Sequence, residues 1–401
     1  MRILLSVPSL SRGKGGAEKT ASDLANAWDE TGHKVGVIFN AKGGAHPAYP
    51  LNEGITRLPS RYNSQQPNVL AAEERRVRAF RPDIVIIFYA DISILWQLPF
   101  FKRLECPIAV QECTSPIRGV RNLIKGMERL GADYDFKAAF LLRQAIFASV
   151  NGIRLVLPSY LKSVAPALRY KTAAFYNCQG APERPSPAEP KKGKRIVCVG
   201  GLKDFNKNGV VAARAFASLA AIYPGWELHF YGVNRFANEI ERLNRLPSVQ
   251  GRIVQRGLVH EMESEYRAAE FSVLCSFEEG NPNTVNESML AGIPTIGFED
   301  CEGYRGLVTD QVDGLIISRE PEVKSLADAM AMLMDNPTLR SRLAHGAYQT
   351  MLERQDKKKY LRNWNRILAN ADLQSGDEKQ AQPLAHALTP LLNDAIAAFR
   401  R

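Results

Sequence analysis

Short apolar runs alternate with longer amphipathic runs along the first half of the chain. The helical spacing of residues 17–32 (AEKTASDLANAWDETG) is typical of the amphipathic runs. The apolar runs predict strands at RILLSVP (2–8), KVGVIF (34–39), DIVIIFYA (83–90), CPIAVQE (106–112) and RLVLPS (154–159). Apolar strands separated by helices are typical of a parallel sheet that is covered on both faces. The pattern therefore predicts an α/β domain over residues 1–180.

The alternation stops at residues 181–194 and then starts again. This segment, APERPSPAEPKKGK, holds four prolines and several charges, which predicts an exposed linker. Beyond it, helices are predicted at 208–224 and 324–335. Strands are predicted at RIVCVG (195–200), WELHFYG (226–232), GRIVQRG (251–257), FSVLCSF (271–277), PTIGF (294–298) and DGLII (313–317). We therefore expect a second doubly wound α/β domain over 195–355, and C-terminal helices over 356–401 that pack back on the first domain.

Composition narrows the class of protein. Hydrophobic residues make up 45% of the chain and charged residues 23%, which is ordinary for a soluble globular protein. No apolar run is long enough to span a membrane, so we expect a cytoplasmic protein. The net charge of +10 indicates an anionic partner, such as nucleic acid, an anionic membrane surface or a phosphorylated small molecule. The spacing of the six cysteines and six histidines predicts no metal site.

In each predicted domain, a glycine-rich loop follows the first strand. SRGKGGAEKT (11–20) nearly matches a phosphate-binding P-loop, but Glu18 stands where that motif needs glycine. A plain strand-to-helix turn is the other interpretation. In the second loop, GGLKDFNKNG (200–209), Lys203 and Lys207 precede a helix, where a lysine can neutralise a phosphate. Taken alone, this loop is better explained by two solvated lysines.

The stretch SFEEGNPNTVNESMLAGIPTIG (276–297) carries two carboxylates around a turn that opens a helix. Glu279 follows a predicted strand, and Glu287 lies about one turn into a helix that we expect to start near Pro282. The amides of Asn283, Thr284 and Val285 would then be unpaired and would form an anion site. Carboxylates repel a diphosphate, so these two would instead accept hydrogen bonds from hydroxyl groups on either side of it. A molecule with hydroxyl groups on both sides of a diphosphate is a nucleotide sugar. The alternative is two surface carboxylates that complement the helix N-terminus.

The same stretch resembles the signature of the family 4 retaining glycosyltransferases, which have the GT-B fold. The matching residues are Ser276, Glu279, Gly280, Pro282, Asn283, Glu287, Met289, Gly292 and Pro294. Further similarities lie in GGAE (15–18), TGHKV (31–35), LPSYLK (157–162), YN (176–177) and DGLII (313–317), so that the resemblance covers most of residues 1–370.

The resemblance implies two Rossmann-like domains that face each other across a cleft, and a retaining, metal-independent enzyme without a cofactor. Its donor would be a nucleotide diphosphate sugar, with UDP the expected nucleotide. Glu279 would contact the transferred sugar and Glu287 the ribose, while Lys207 would stabilise the leaving diphosphate. The other donor-site residues would be Gly280, Asn281, Asn283, Thr284, Val285, Lys203, Gly15, Gly16 and Val259, the last in the loop GLVH (257–260) near the base.

The resemblance also implies an acceptor, which would be a glycan or lipid-linked sugar in cell-envelope polysaccharide or lipopolysaccharide synthesis, and no role for nucleic acid. Two positions depart from the family pattern. Gly201 stands where an arginine is common, and Cys113 follows Glu112 where a histidine is common. Glu112 is therefore only a weak catalytic candidate. The departures keep open a catalytically silent subunit that binds a partner enzyme. A nucleotide-sugar epimerase is a further alternative.

A membrane surface is the last expected partner. Residues 118–147 mix Arg and Lys with Leu, Ile and Phe at roughly helical spacing, which predicts a basic amphipathic surface on the first domain. Asp133 and Asp135 interrupt the basic stripe, so an apolar face buried in the core is the alternative. We expect peripheral binding to the inner face of the membrane.

Overall fold

The computed structural model describes residues 1–8, 10, 15–40, 49–61, 66–89, 91–178, 193–259, 261–372 and 378–400. The chain divides into two compact units. The first comprises Met1–Gln179 together with Lys357–Arg401, and the second comprises Gly180–Asp356. The C-terminal helices are thus part of the first unit.

The first unit is a seven-stranded parallel sheet with helices on both faces. Its strands are β1 (Arg2–Val7), β2 (Lys34–Asn40), β3 (Thr56–Ser60), β4 (Ile84–Tyr89), β5 (Ile108–Glu112), β6 (Gly152–Leu155) and β7 (Thr172–Ala174). Its helices are α1 (Gly16–Glu30), α2 (Pro67–Phe80), α3 (Ile94–Lys102), α4 (Pro116–Glu128) and α5 (Phe136–Ala148), and two 3₁₀ helices cover Pro158–Ser163 and Pro166–Lys171. The strand order is β3-β2-β1-β4-β5-β6-β7.

The second unit is a six-stranded parallel sheet in the order β10-β9-β8-β11-β12-β13. Its strands are β8 (Lys194–Val199), β9 (Trp226–Tyr231), β10 (Ile253–Gly257), β11 (Phe271–Leu274), β12 (Thr295–Phe298) and β13 (Gly314–Ile317). Its helices are α6 (Val210–Leu219), α7 (Ala237–Asn244), α8 (Glu263–Arg267), α9 (Asn283–Leu290), α10 (Glu302–Arg305), α11 (Glu322–Asp335) and α12 (Pro337–Arg354). Both units thus have the doubly wound order, which confirms the predicted fold class.

The C-terminal segment forms α13 (Lys357–Asp372) and α14 (Glu378–Arg400). Trp364 of α13 is fully buried, and its ring meets Trp28 of α1 edge to face at 5.4 Å. Arg154 of β6 lies against the ring of Trp364 and donates to the carbonyl of Phe175 at 2.9 Å. Aromatic packing of this kind ties the C-terminal helices to the first sheet.

Residues 118–147, for which we predicted a basic amphipathic surface, are divided between two helices. The stretch forms most of α4 and most of α5, with a turn at Gly131, whose φ of +76° favours glycine. Asp135 begins α5 as its N-cap, because its side chain accepts from the amide of Ala138. Helix α14 packs on α5. Residues 118–147 therefore form two helices rather than one continuous one. Among the described residues, no helix is both long and apolar enough to cross a bilayer.

Candidate functional site

In the sheet of the second unit, the order of the strands along the chain reverses between β8 and β11. Chain connections from β8 run toward β9 on one side, and those from β11 run toward β12 on the other. Ligands of doubly wound sheets bind beyond the carboxyl ends of the strands at such a switch point. The loop after β8 carries the predicted lysines, and the loop after β11 carries Glu279.

The two loops meet in an ion pair between Lys207 and Glu279. The Nζ atom of Lys207 lies 2.5 Å from Oε1 of Glu279, although the residues are 72 positions apart. The lysine side chain is 27% exposed and the glutamate 13%, so the pair is accessible from solvent. Two residues that the sequence predicted independently are thus brought to one place.

Asn206 holds the two loops together, and no sequence signal distinguished it. Its side chain donates to the carbonyl of Glu278 at 3.0 Å and accepts from the amide of Glu278 at 3.2 Å. Its own carbonyl accepts from the amide of Phe277 at 2.9 Å. These three hydrogen bonds join the two loops and fix the position of Lys207 relative to Glu279.

The geometry at Gly201 explains the missing arginine. The amide of Gly209 donates to the carbonyl of Gly201 at 2.8 Å. A Cβ on Gly209 would lie 2.6 Å from that oxygen, and a Cβ on Gly201 would lie 2.5 Å from Sγ of Cys198. Any side chain at either position would force the loop apart. Lys203 is exposed on this loop, and within the described part of the chain no ion pair holds it.

Helix α9 begins one residue later than expected, and one of the three amides predicted to be unpaired donates within the helix. Pro282 is the N-cap, and its carbonyl accepts from the amide of Val285 at 3.0 Å. Because that amide is already satisfied, it is not an unpaired donor. The amides of Asn283 and Thr284 precede it, at the first two positions of the helix.

The turn before α9 is buried and internally braced. Gly280, Asn281 and Asn283 are all buried. The side-chain oxygen of Asn281 accepts from the side-chain amide of Asn286 at 2.8 Å. The bond joins the turn to the second turn of the helix, so the helix start has a fixed shape.

Glu287 is half-buried in the middle of α9. The hydroxyl of Tyr266 in α8 donates to its Oε2 at 3.4 Å. Val259 packs against the small apolar cluster that contains Tyr266 and Tyr231. Two residues predicted to flank the nucleoside are thus placed around one cluster, while His260 lies outside the described residues.

Two further elements support the loop that carries Glu279. Gly303 of α10 lies against its backbone, because a Cβ there would be 2.7 Å from the carbonyl carbon of Glu279. Cys301, the N-cap of α10, is fully buried, and burial together with the charge of Glu279 raises the pKa of its thiol to about 12.

Arg319, which follows β13, also supports this loop. It donates to the carbonyl of Ser276 at 3.1 Å and lies between the rings of Phe277 and Phe298. Asp300 and Glu322 neutralise its charge.

The structure places Glu112 in the core of the first unit. Its side chain is 1% exposed, and both of its oxygens accept from Arg143 at 2.6 Å. The hydroxyl of Tyr89 donates to the same carboxylate at 3.2 Å, and burial beside it raises the pKa of Tyr89 well above the usual value. A buried, fully engaged carboxylate favours a structural role over contact with a substrate.

Gly15 and Gly16 lie at the start of α1, also in the first unit. Gly15 is the N-cap, and a Cβ there would lie 3.1 Å from Cδ of Glu18. Glu18 occupies the third helical position, from which a carboxylate can turn back toward the N-cap. Lys19 forms an ion pair with Asp23 at 2.8 Å. These contacts fit a strand-to-helix turn, while residues 11–14 lie outside the described part.

Comparison with known proteins finds similarity to glycosyltransferases, first of all in the second unit. The family model "Glycosyl transferases group 1" matches residues 193–336, which lie in the second unit. The chain is 24% identical over 175 residues to a poly(glycerol-phosphate) alpha-glucosyltransferase of Bacillus subtilis. That match covers 44% of the chain and 26% of the relative.

A second relative is an alpha-1,4-N-acetyl-D-galactosaminyltransferase of Campylobacter jejuni that acts on GalNAc-alpha-(1->4)-GalNAc-alpha-(1->3)-diNAcBac-PP-undecaprenol. The identity is 26% over 157 residues, which is 39% of this chain and 43% of the relative. The chain thus spans less than half the length of these two curated relatives.

Among solved structures, the chain is similar to a point mutant of TarM of S. aureus in complex with fondaparinux, alpha-GlcNAc-glycerol and UDP. The TM-score is 0.72 at 10% identity, and the match covers 92% of this chain and 99% of TarM. The likeness confirms that the fold is of the GT-B type.

Proposed function

We propose that the protein is a retaining glycosyltransferase that moves a hexose or N-acetylhexosamine from a UDP-sugar to a glycan or glycolipid acceptor in cell-envelope polysaccharide or lipopolysaccharide synthesis. The observation that carries this proposal is the Lys207–Glu279 pair, which lies at the switch point of the second sheet. It combines a cation for a diphosphate with a carboxylate for sugar hydroxyls.

In this proposal, each charged group of the site stabilises a charge of the donor or binds one of its hydroxyl groups. Cleavage of the glycosyl–phosphate bond places negative charge on the leaving diphosphate, which Lys207 and the amides of Asn283 and Thr284 stabilise. Glu287 accepts hydrogen bonds from the ribose hydroxyls, and Glu279 from hydroxyls of the transferred sugar. The acceptor oxygen attacks from the face that the diphosphate leaves, and a phosphate oxygen takes its proton.

Retention and the nucleotide are supported by the relatives. Both curated relatives carry alpha-linkages in their names, and the TarM structure contains UDP. An alpha-linked product formed from an alpha-configured nucleotide sugar keeps its anomeric configuration. The acceptor class is supported by the undecaprenol-linked glycan in the name of the second relative.

A lipid-linked acceptor also favours a protein that acts at the inner face of the membrane. Helix α4 exposes Arg121 and Lys125, which are four residues apart and therefore share a helix face with the exposed Ile117. Basic residues of this kind are attracted to anionic lipid headgroups. We propose that α4, rather than the whole 118–147 stretch, provides peripheral membrane contact.

The donor is tested by a thermal-shift panel of UDP-, GDP- and ADP-sugars, followed by product analysis with the donor that binds. We expect stabilisation by a UDP-sugar, release of UDP, and a product whose anomeric proton coupling in NMR shows the configuration of the donor. Binding without UDP release would instead indicate a silent subunit. A changed sugar nucleotide formed without an acceptor would indicate an epimerase.

We also propose that turnover needs no metal, because Lys207 and the helix amides supply the stabilising charge. Turnover should survive dialysis against EDTA and should not rise when Mg²⁺ or Mn²⁺ is returned. Loss of activity with EDTA that Mn²⁺ restores would contradict this part of the proposal.

A further inference from the structure

Tyr266 lies behind the carboxylate that the proposed function assigns to the ribose. It belongs to the short helix α8, and its side chain is fully buried among Val197, Tyr231 and Ile293. Its hydroxyl reaches Glu287 across the boundary between two helices, at 3.4 Å from Oε2. The ring cannot move without disturbing this cluster, so the hydroxyl is held in a fixed place.

We infer that Tyr266 is a positioning residue, whose hydroxyl holds the Glu287 carboxylate in the orientation that binds the ribose of the donor. The inference rests on the proposed function. A glutamate side chain has three rotatable bonds, and fixing them before the ligand arrives reduces the entropy that binding costs.

The direction of the hydrogen bond supports this role. Burial and the charge of Glu287 together raise the pKa of the Tyr266 hydroxyl well above 10, so it remains a donor at any working pH. The hydroxyl therefore always presents a proton to Oε2. One oxygen of Glu287 is thereby oriented by the protein.

A neighbouring tyrosine provides a matched control. Tyr231 belongs to the same apolar cluster and is equally buried. Its hydroxyl donates to Glu265 at 2.5 Å, and Glu265 is paired with Arg195 rather than placed in the site. Replacing either tyrosine with phenylalanine removes one buried hydroxyl from the same cluster, but only Tyr266→Phe removes the contact with Glu287.

The test is calorimetric titration with UDP and with 2′,3′-dideoxy-UDP. Tyr266→Phe should weaken UDP binding roughly three- to tenfold and leave the binding of the dideoxy nucleotide unchanged, because only UDP offers hydroxyls to Glu287. Tyr231→Phe should bind both nucleotides like the unmodified protein. Adding Tyr266→Phe to Glu287→Ala should cause no further loss of UDP affinity.

The outcomes separate the inference from the proposed function. If Glu287→Ala binds UDP normally, or if the unmodified protein binds no UDP, the proposed site is wrong and the inference falls with it. If Glu287→Ala weakens UDP binding but Tyr266→Phe does not, the inference alone is overturned. Equal losses for UDP and the dideoxy nucleotide in Tyr266→Phe would show a merely structural role and would also overturn it.

Discussion

Lys207 carries one positive charge for which two partners compete. In the structure its partner is Glu279, at 2.5 Å. In the proposed reaction its partner is the diphosphate, which Glu279 would repel. A donor must therefore displace an existing ion pair, and the free energy of that exchange is part of the affinity for the nucleotide.

Glu279→Gln removes the competing charge without changing the size of the side chain. We expect UDP to bind about three- to tenfold more tightly, since a partly exposed ion pair contributes on the order of 1 kcal/mol. We expect turnover of the UDP-sugar to fall, because the sugar loses a charged acceptor. Calorimetry and a steady-state assay measure the two effects.

The adjacent Glu278→Gln is the control for this experiment, because it removes the same charge one residue away from the pair. It should leave UDP affinity unchanged. A Glu279→Gln variant that binds UDP no better than the unmodified protein would show that Lys207 does not receive the diphosphate.

His229 gives a second prediction at this scale, about stability. Burial lowers its pKa below the usual 6.5, and Arg195 and Arg256 add to the decrease, while a hydrogen bond to Glu227 opposes it. Below pH 6.5 the unfolded state therefore binds a proton that the folded state does not, so stability falls as the pH falls.

The measurement is the thermal unfolding temperature of the unmodified protein and of His229→Gln between pH 7.5 and 5.5. The unmodified protein should lose stability relative to the variant as the pH decreases. A difference that does not depend on pH, or one of opposite sign, would show that His229 is not held neutral.

At the scale of elements, the sequence predicted the apolar strands well and the polar or short ones poorly. Strand β3 (TRLPS) was missed because it is short and contains proline, and β7 was missed because it has only three residues. Residues 118–147 appeared continuous because the helical spacing of their apolar residues hides the turn at Gly131.

The candidate site shows the same division. Glu279, Glu287 and Lys207 were singled out by their places after strands together with the family resemblance. Asn206, Gly303, Arg319 and Tyr266 were not, because they act through contacts between elements distant in sequence. The Val285 amide was taken for an unpaired donor, but it bonds to the carbonyl of Pro282, three residues earlier, in a first turn tighter than that of a regular α-helix.

The contact between α10 and the Glu279 loop yields a prediction about packing. Gly303→Ala would place a methyl group against the backbone of Glu279, so the loop must move. We expect turnover to fall at least tenfold and the unfolding temperature to decrease. Gly193→Ala, at an open position of the same unit, is the control and should behave normally. Normal turnover in Gly303→Ala would show that the loop position is not critical.

At the scale of the whole molecule, the excess of 10 positive charges favours association with anionic partners, and α4 is the proposed point of contact with lipid. Arg121→Glu combined with Lys125→Glu should reduce sedimentation with anionic liposomes, and high salt should do the same to the unmodified protein. The two residues are exposed on a helix, so the fold should persist.

The control for this test is Arg242→Glu combined with Lys324→Glu. It makes the same change of net charge on exposed residues of the second unit. This variant should still sediment with anionic liposomes. Equal, negligible binding of all proteins to anionic and neutral liposomes would remove the membrane and favour a soluble acceptor.

The central claim is that the second unit holds the diphosphate of a nucleotide sugar against Lys207. The most direct measurement is the rate of UDP release from the UDP-sugar by the unmodified protein, Lys207→Ala and Lys203→Ala. We predict a loss of at least about a hundredfold for Lys207→Ala, with its fold intact by circular dichroism, because the lost charge would act on the transition state. Lys203→Ala should lose much less. Normal UDP release by Lys207→Ala would contradict the account.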